Sequence, residues 1–186
     1  VTGWLLGVIL AVGADELPVN PIELGAGLNL AGDVAQLKMG ENRAHVLVFV
    51  TDQCPIANRY APEIQRIEAE YGKKGVGFSL VYLGSPKYAP EYRKHWKEFG
   101  YQIPGFMDPE LKWVKATGVT VTPEVVVFDA GWRMKYRGRI DNQNVEHGKV
   151  REGYRRDLRV ALDEILAGLS VSQPTTAAIG CIIPRG

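Results

Sequence analysis

The chain has 186 residues, 46% of them hydrophobic and 23% charged, which fits one soluble globular domain and excludes a disordered chain, a collagen-like chain and a multi-span membrane protein. Lys and Arg total 22 against 21 Asp and Glu, so the net charge is +1 and no global pull toward nucleic acid or anionic lipid is expected. The 2 cysteines rule out a four-cysteine zinc site, yet suffice for one disulfide or for one nucleophile and its resolving thiol.

Trp4 to Val12 is an apolar run, followed by Gly13, Ala14 and the first charge at Asp15. It is too short to span a bilayer and fits the hydrophobic region of a signal peptide, with Val12 and Ala14 as the small residues before the cleavage site. Residues 1–14 are therefore expected to be a signal-peptide remnant, the alternative being a buried first strand or helix. A signal peptide makes the mature protein periplasmic or secreted, without a membrane span, in a compartment where disulfides persist. Residues 15–30, with Pro18, Pro21 and several glycines, read as a linker. The folded domain is expected over residues 31–168 and a C-terminal tail over 169–186.

Ala44 to Thr51 is a continuous Val-rich run and predicts a strand buried on both faces. Ile56, Tyr60, Ile64, Ile67 and Tyr71 recur at helical spacing, which predicts a helix over residues 55–71. Residues 76–83 read as a second buried strand, and residues 90–99 as a helix ended by Gly100. Residues 103–107 read as a short extended piece. Asp108 as cap and Pro109 behind it predict a short helix over 111–117. Residues 124–128 are a third strong strand, and Asp129-Ala130-Gly131 turns it into a fourth over 133–139. The last helix is expected over 153–167. The order predicts an α/β fold: a central mixed sheet with helices on both faces. The turn after the first strand, Thr51-Asp52-Gln53-Cys54-Pro55, contains no glycine-rich phosphate loop, so a nucleotide site fails there.

That turn carries the leading candidate. Cys54 lies where a buried strand meets a helix, with Pro55 at the first helical position. Unpaired backbone N–H groups and the positive end of the helix dipole favour the thiolate there, and the thiolate is the nucleophile. The alternative is a small buried hydrophobe. Thr51 is placed to offer its hydroxyl to the sulfur or to a substrate oxygen. Asp52, if near the sulfur, opposes the thiolate. Glu124 is the best acid nearby, either a proton carrier for the sulfur or a surface residue at a strand start. Cys181 is the second thiol: a resolving partner for Cys54, a free tail thiol, or half of a permanent staple. His45, His95 and His147 are widely spaced and form no metal motif, so neither metal nor other cofactor is expected.

The segment Cys54-Pro-Ile-Ala-Asn-Arg-Tyr-Ala-Pro62 resembles the thioredoxin active-site helix, with Ala57 in place of its second cysteine. Thr122-Pro123 resembles that family's cis-proline, which implies that Pro123 packs beside Cys54 and helps to receive an extended substrate. Within this superfamily the chain is similar to redoxins and peroxiredoxin-like proteins: Thr51 and Cys54 match the T-x-x-C of the peroxidase signature. Leu47 stands where its proline should be, and Thr122-Pro123 falls about where its arginine is expected. Arg137 and Arg139, further on, read as a solvated strand face. CPIANRYAPE, VTPEVVVFD, YRGRID, ALDEILAG and the late GCII together resemble secreted bacterial redoxin-domain proteins. The resemblance implies a thioredoxin-like fold and an extracytoplasmic thiol oxidoreductase or peroxiredoxin-like protein. Its substrate would be a protein thiol or disulfide, or a peroxide, and its reductant an external thiol. A redox-inactive binding module on the same fold is the other class, favoured by the loss of the second cysteine of the motif.

Overall fold

The computed structural model of the protein describes residues 16–146 and 149–184, so the signal-peptide expectation and His147 fall outside the described residues. In chain order the strands are β1 (Ala26–Asn29), β2 (Val34–Gln36), β3 (Ala44–Val50), β4 (Val76–Leu83), β5 (Gly105–Asp108), β6 (Val121–Thr122), β7 (Glu124–Asp129), β8 (Met134–Gly138), β9 (Asn144–Glu146), β10 (Lys149–Val150) and β11 (Cys181–Ile182). The helices are α1 (Pro55–Tyr71), α2 (Ala89–Glu98), α3 (Lys112–Thr117) and α4 (Asp157–Leu166). Seven strands form one sheet in the order β2-β1-β5-β4-β3-β7-β8. β3, β4 and β5 run parallel; β7 and β8 on one side, and β1 and β2 on the other, are antiparallel additions. This is the expected mixed sheet flanked by helices, the thioredoxin-like fold.

The continuous apolar runs follow from cover on both faces. In β3, Val46, Val48 and Val50 belong to one core with Ile56, Ile64 and Ile67 of α1 and Leu158 and Leu162 of α4. The alternate residues Leu47 and Phe49 belong to a second core with Trp113 and Val114 of α3. β7 splits the same way, Val125 and Val127 to the first core and Val126 and Phe128 to the second. One-residue alternation along a strand therefore decides which layer a side chain joins.

One feature departs from the expected domain bounds, and a second, the return of the tail, is what a resolving role for Cys181 requires. β1 falls within the stretch expected to be linker and extends the sheet edge by pairing with β5. The tail is strapped to the body: Thr176 N donates to Arg137 O at 3.1 Å, and β11 pairs with β6. Among the described residues no helix is long and apolar enough to cross a membrane.

Candidate functional site

Cys54 is the N-cap of α1, in extended conformation (φ −80°, ψ 109°), with Pro55 directly behind it. β3 delivers the chain to this point at the carboxyl end of the parallel strands. Such ends border the crevice where α/β sheets present their sites. The Cys54 sulfur accepts from Ala57 N–H at 3.4 Å, which satisfies one otherwise unpaired amide of the first helical turn. As a thiol it donates to Thr122 O at 3.0 Å. The Thr122–Pro123 bond is cis, and the Thr51 and Thr122 hydroxyls lie 3.3 Å apart. Cys181 lies opposite Thr122 in the β6–β11 ladder, and Thr122 O is the acceptor of the Cys54 thiol, so the ladder brings the second cysteine to the same site. The structure thus brings Thr51, Cys54, Thr122, Pro123 and Cys181 together. Both thiols are free.

The two sulfurs are shifted in opposite directions. Burial pushes Cys54 up, since only 1% of the residue is exposed. Hydrogen bonds from the Cys181 thiol, Ala57 N–H, Cys181 N–H and the Thr122 side chain outweigh burial, so Cys54 lies below the ordinary thiol value. Cys181 is raised to about 11, by burial first, then by its hydrogen bond to Cys54 and the charge there. One thiol is poised to ionise while its neighbour holds its proton.

Glu124 does not reach the sulfur and is no surface residue. At the start of β7 it takes the same alternation as Val126, toward the second core and away from α1. Its carboxylate accepts from Thr120 N at 2.8 Å and Val121 N at 3.3 Å, pinning the backbone just before Pro123. Burial raises its pKa. Its observed work is therefore to hold the β6 segment, in place of the expected proton carriage. Arg139 also departs from the solvated reading, with Nε 2.7 Å from buried Asp157. Arg137 donates to Thr117 O at 3.2 Å.

A polar chain behind the Cys54 turn escaped the sequence reading. The Asn58 backbone N donates to Cys54 O at 2.9 Å, and its side-chain amide donates to Asp52 O at 3.0 Å. Asn58 Oδ1 then accepts from His95 Nε2 at 2.9 Å, which leaves His95 Nδ1 to accept from Tyr82 OH at 2.9 Å. Burial lowers the His95 pKa, as a neutral ring with one donor and one acceptor requires. The charge of Asp52 acts on His95 and Tyr82, on this side of the turn. The only sequence signal was an Asn in the first turn of a helix after a candidate nucleophile. His45 sits elsewhere, with Nε2 3.0 Å from Ser79 Oγ.

The Redoxin family model matches residues 24–153. No curated protein matches the chain. Among solved structures, an uncharacterized conserved protein from Geobacillus kaustophilus is 26% identical, with a TM-score of 0.76 over 92% of this chain and 94% of that one. A hypothetical protein from Sinorhizobium meliloti is 24% identical, with a TM-score of 0.77 over 94% and 98% of the two chains. A secreted Mycobacterium tuberculosis disulfide oxidoreductase homologous to E. coli DsbE is 16% identical, with a TM-score of 0.55 over 78% and 96%; that likeness concerns the fold alone.

Proposed function

The chain belongs to the redoxin family, and we propose that it is an extracytoplasmic thiol-disulfide oxidoreductase in which Cys54 is the nucleophile and Cys181 the resolving thiol. The observation that carries this reading is the placement of the two thiols at one site: the Cys54 thiol bonds Thr122 O at 3.0 Å, and Cys181 pairs with Thr122 in the β6–β11 ladder. The apolar run before Asp15 and the secreted oxidoreductase of the same fold support an extracytoplasmic location. We also take residues 31–168, extended by β1, as the catalytic domain and 169–186 as the tail that supplies the second thiol.

The Cys54 thiolate attacks one sulfur of a substrate disulfide. A Cys54–substrate bond forms, the substrate bond breaks, and the distal sulfur leaves as a thiolate. Cys54 has then lost its charge. Two of the three causes that hold Cys181 up, the hydrogen bond to Cys54 and its charge, go with it. Cys181 gives its proton to the departing thiolate and attacks the Cys54 sulfur. The Cys54–Cys181 disulfide forms and the substrate leaves reduced. An external dithiol reopens the pair and takes up the oxidation. With a peroxide in place of the disulfide, Cys54 becomes a sulfenic acid, and condensation with Cys181 releases water. The donors on Cys54 are uncharged, which favours disulfide over peroxide as substrate.

Trapping tests this reading. Cys181→Ser protein treated with a low-molecular-weight disulfide is expected to accumulate a stable mixed disulfide on Cys54. The unaltered protein is expected to pass through that species to the internal disulfide. A Cys54 that forms no adduct in either protein contradicts the reading and leaves the redox-inactive binding module.

A further inference from the structure

The tail reaches Cys54 as an extended strand. Cys181 lies opposite Thr122 and Ile182 opposite Val121, and Ile183 N donates to Thr120 O at 2.9 Å. Strand alternation sends Cys181 and Ile183 to the protein and Ile182 outward. Ile183 is 5% exposed and Ile182 82%. Gly180 passes so close to β6 that a Cβ there would lie 2.1 Å from Thr122 O. The seat therefore reads four positions: no side chain, a sulfur, a free position and a buried apolar group. Beside it opens a cavity of about 300 Å³, with Thr51, Leu83, Leu111, Thr122 and Ile183 among its walls and no charged side chain among the described residues that line it. The ladder that holds the tail there is only two residues long on each side, and so short a pairing is weak by itself.

A foreign sulfur bonds to Cys54 only by approaching that sulfur directly, and Cys54 is buried with Cys181 against it. The incoming sulfur must take the place of Cys181. The backbone that carries it then falls on β6, where the Thr120 and Thr122 segment pairs with an extended chain and the Ile183 site accepts an apolar side chain. We propose that residues 180–183 occupy, in cis, the docking site of an extended polypeptide substrate whose cysteine is followed two residues later by an apolar side chain. The inference rests on the redox reading of Cys54 and names the substrate class for it.

The test uses full-length Cys181→Ser protein, in which Cys54 is the one thiol. Two heptapeptides carry their cysteine as a mixed disulfide with thionitrobenzoate. One has the sequence of residues 178–184; the other has Asn at the position of Ile183. The Cys54 thiolate attacks the peptide sulfur, a Cys54–peptide disulfide forms, and coloured thionitrobenzoate leaves with the electron pair. Colour gives the rate and intact mass confirms the adduct. The apolar peptide is expected to react about tenfold or more faster, the worth of burying one aliphatic side chain. Gly180→Val, which drives a Cβ into Thr122 O, is expected to unseat the tail and speed both peptides while keeping that ratio. The ratio is measured in Cys181→Ser alone if the added change prevents folding. Equal rates for the two peptides, with Cys54 reacting readily with a small aromatic disulfide, overturn the docking inference and leave the redox reading intact. Failure to react with the peptides and with the small disulfide overturns both.

Discussion

Replacing Cys181 by Ala removes the largest single interaction that lowers Cys54. A hydrogen bond to a charged group is worth about 1.5–3 kcal/mol. One pKa unit corresponds to about 1.4 kcal/mol. Cys181→Ala is therefore expected to raise the Cys54 pKa and to slow its alkylation near neutral pH about tenfold or more, while the Ala57 N–H remains. Cys181→Ser keeps an O–H donor at that place and is expected to restore most of the depression. The assay is thiolate ultraviolet absorbance against pH on each single-thiol protein, checked by the pH dependence of alkylation. Because Cys181 itself ionises only at about 11, the first proton of the unaltered protein belongs to Cys54. A Cys54 pKa that is the same in the Ala and Ser proteins would refute the claim that the second thiol stabilises the thiolate.

Asn58→Leu keeps the helix but removes the bonds to Asp52 O and His95. It leaves buried partners unsatisfied, so urea unfolding should show a loss of about 1–3 kcal/mol, and Cys54 alkylation should speed up as the turn loosens. His45 is buried and held to about 4, so it favours the fold above its unfolded pKa of about 6.5. Stability is lost as pH falls from there through about 4, and His45→Gln should flatten that slope in urea midpoints. Asp108 accepts from the Lys112, Trp113 and Val114 amides and is 4% exposed. Asp108→Ala should cost about 2 kcal/mol in thermal or urea unfolding, whereas Asp108→Asn, which keeps one acceptor oxygen, should cost less.

Much of the fold was legible because burial on two faces writes long apolar runs. β4 and α1 have the bounds expected of them, and β3 ends one residue early at Val50. The expected cap is corrected: α3 begins only at Lys112, its N-cap position is Leu111 in a left-handed turn (φ 54°), and Pro109 lies before the helix, while Asp108 serves the helix start from the end of β5 by accepting from its first amides. β1 was hidden for a physical reason. Its Gly27 lies under the Trp113 ring, where a Cβ would meet that ring at 2.8 Å, so the strand lacks the side chains that announce strands. β11 is two residues long, and its contact with β6 is purely tertiary. At the site, the strand-to-helix position of Cys54 was readable from Pro55 and the Val-rich run. The nearness of Cys181 was an expectation that spacing alone does not carry, because it depends on where a distant segment docks. Glu124 misled because its neighbour in sequence, Pro123, flanks the sulfur while strand alternation turns its own carboxylate to the other face. The Asn58–His95–Tyr82 chain joins three elements and has no signature in any one of them.

The most direct test of the Cys54–Cys181 pair is a non-reducing peptide map of the protein before and after limited hydrogen peroxide. The account predicts a peptide pair joined through Cys54 and Cys181 that appears with oxidant and vanishes with dithiol. Two thiols that survive the oxidant unchanged, or a bond that no dithiol opens in the folded protein, contradict it.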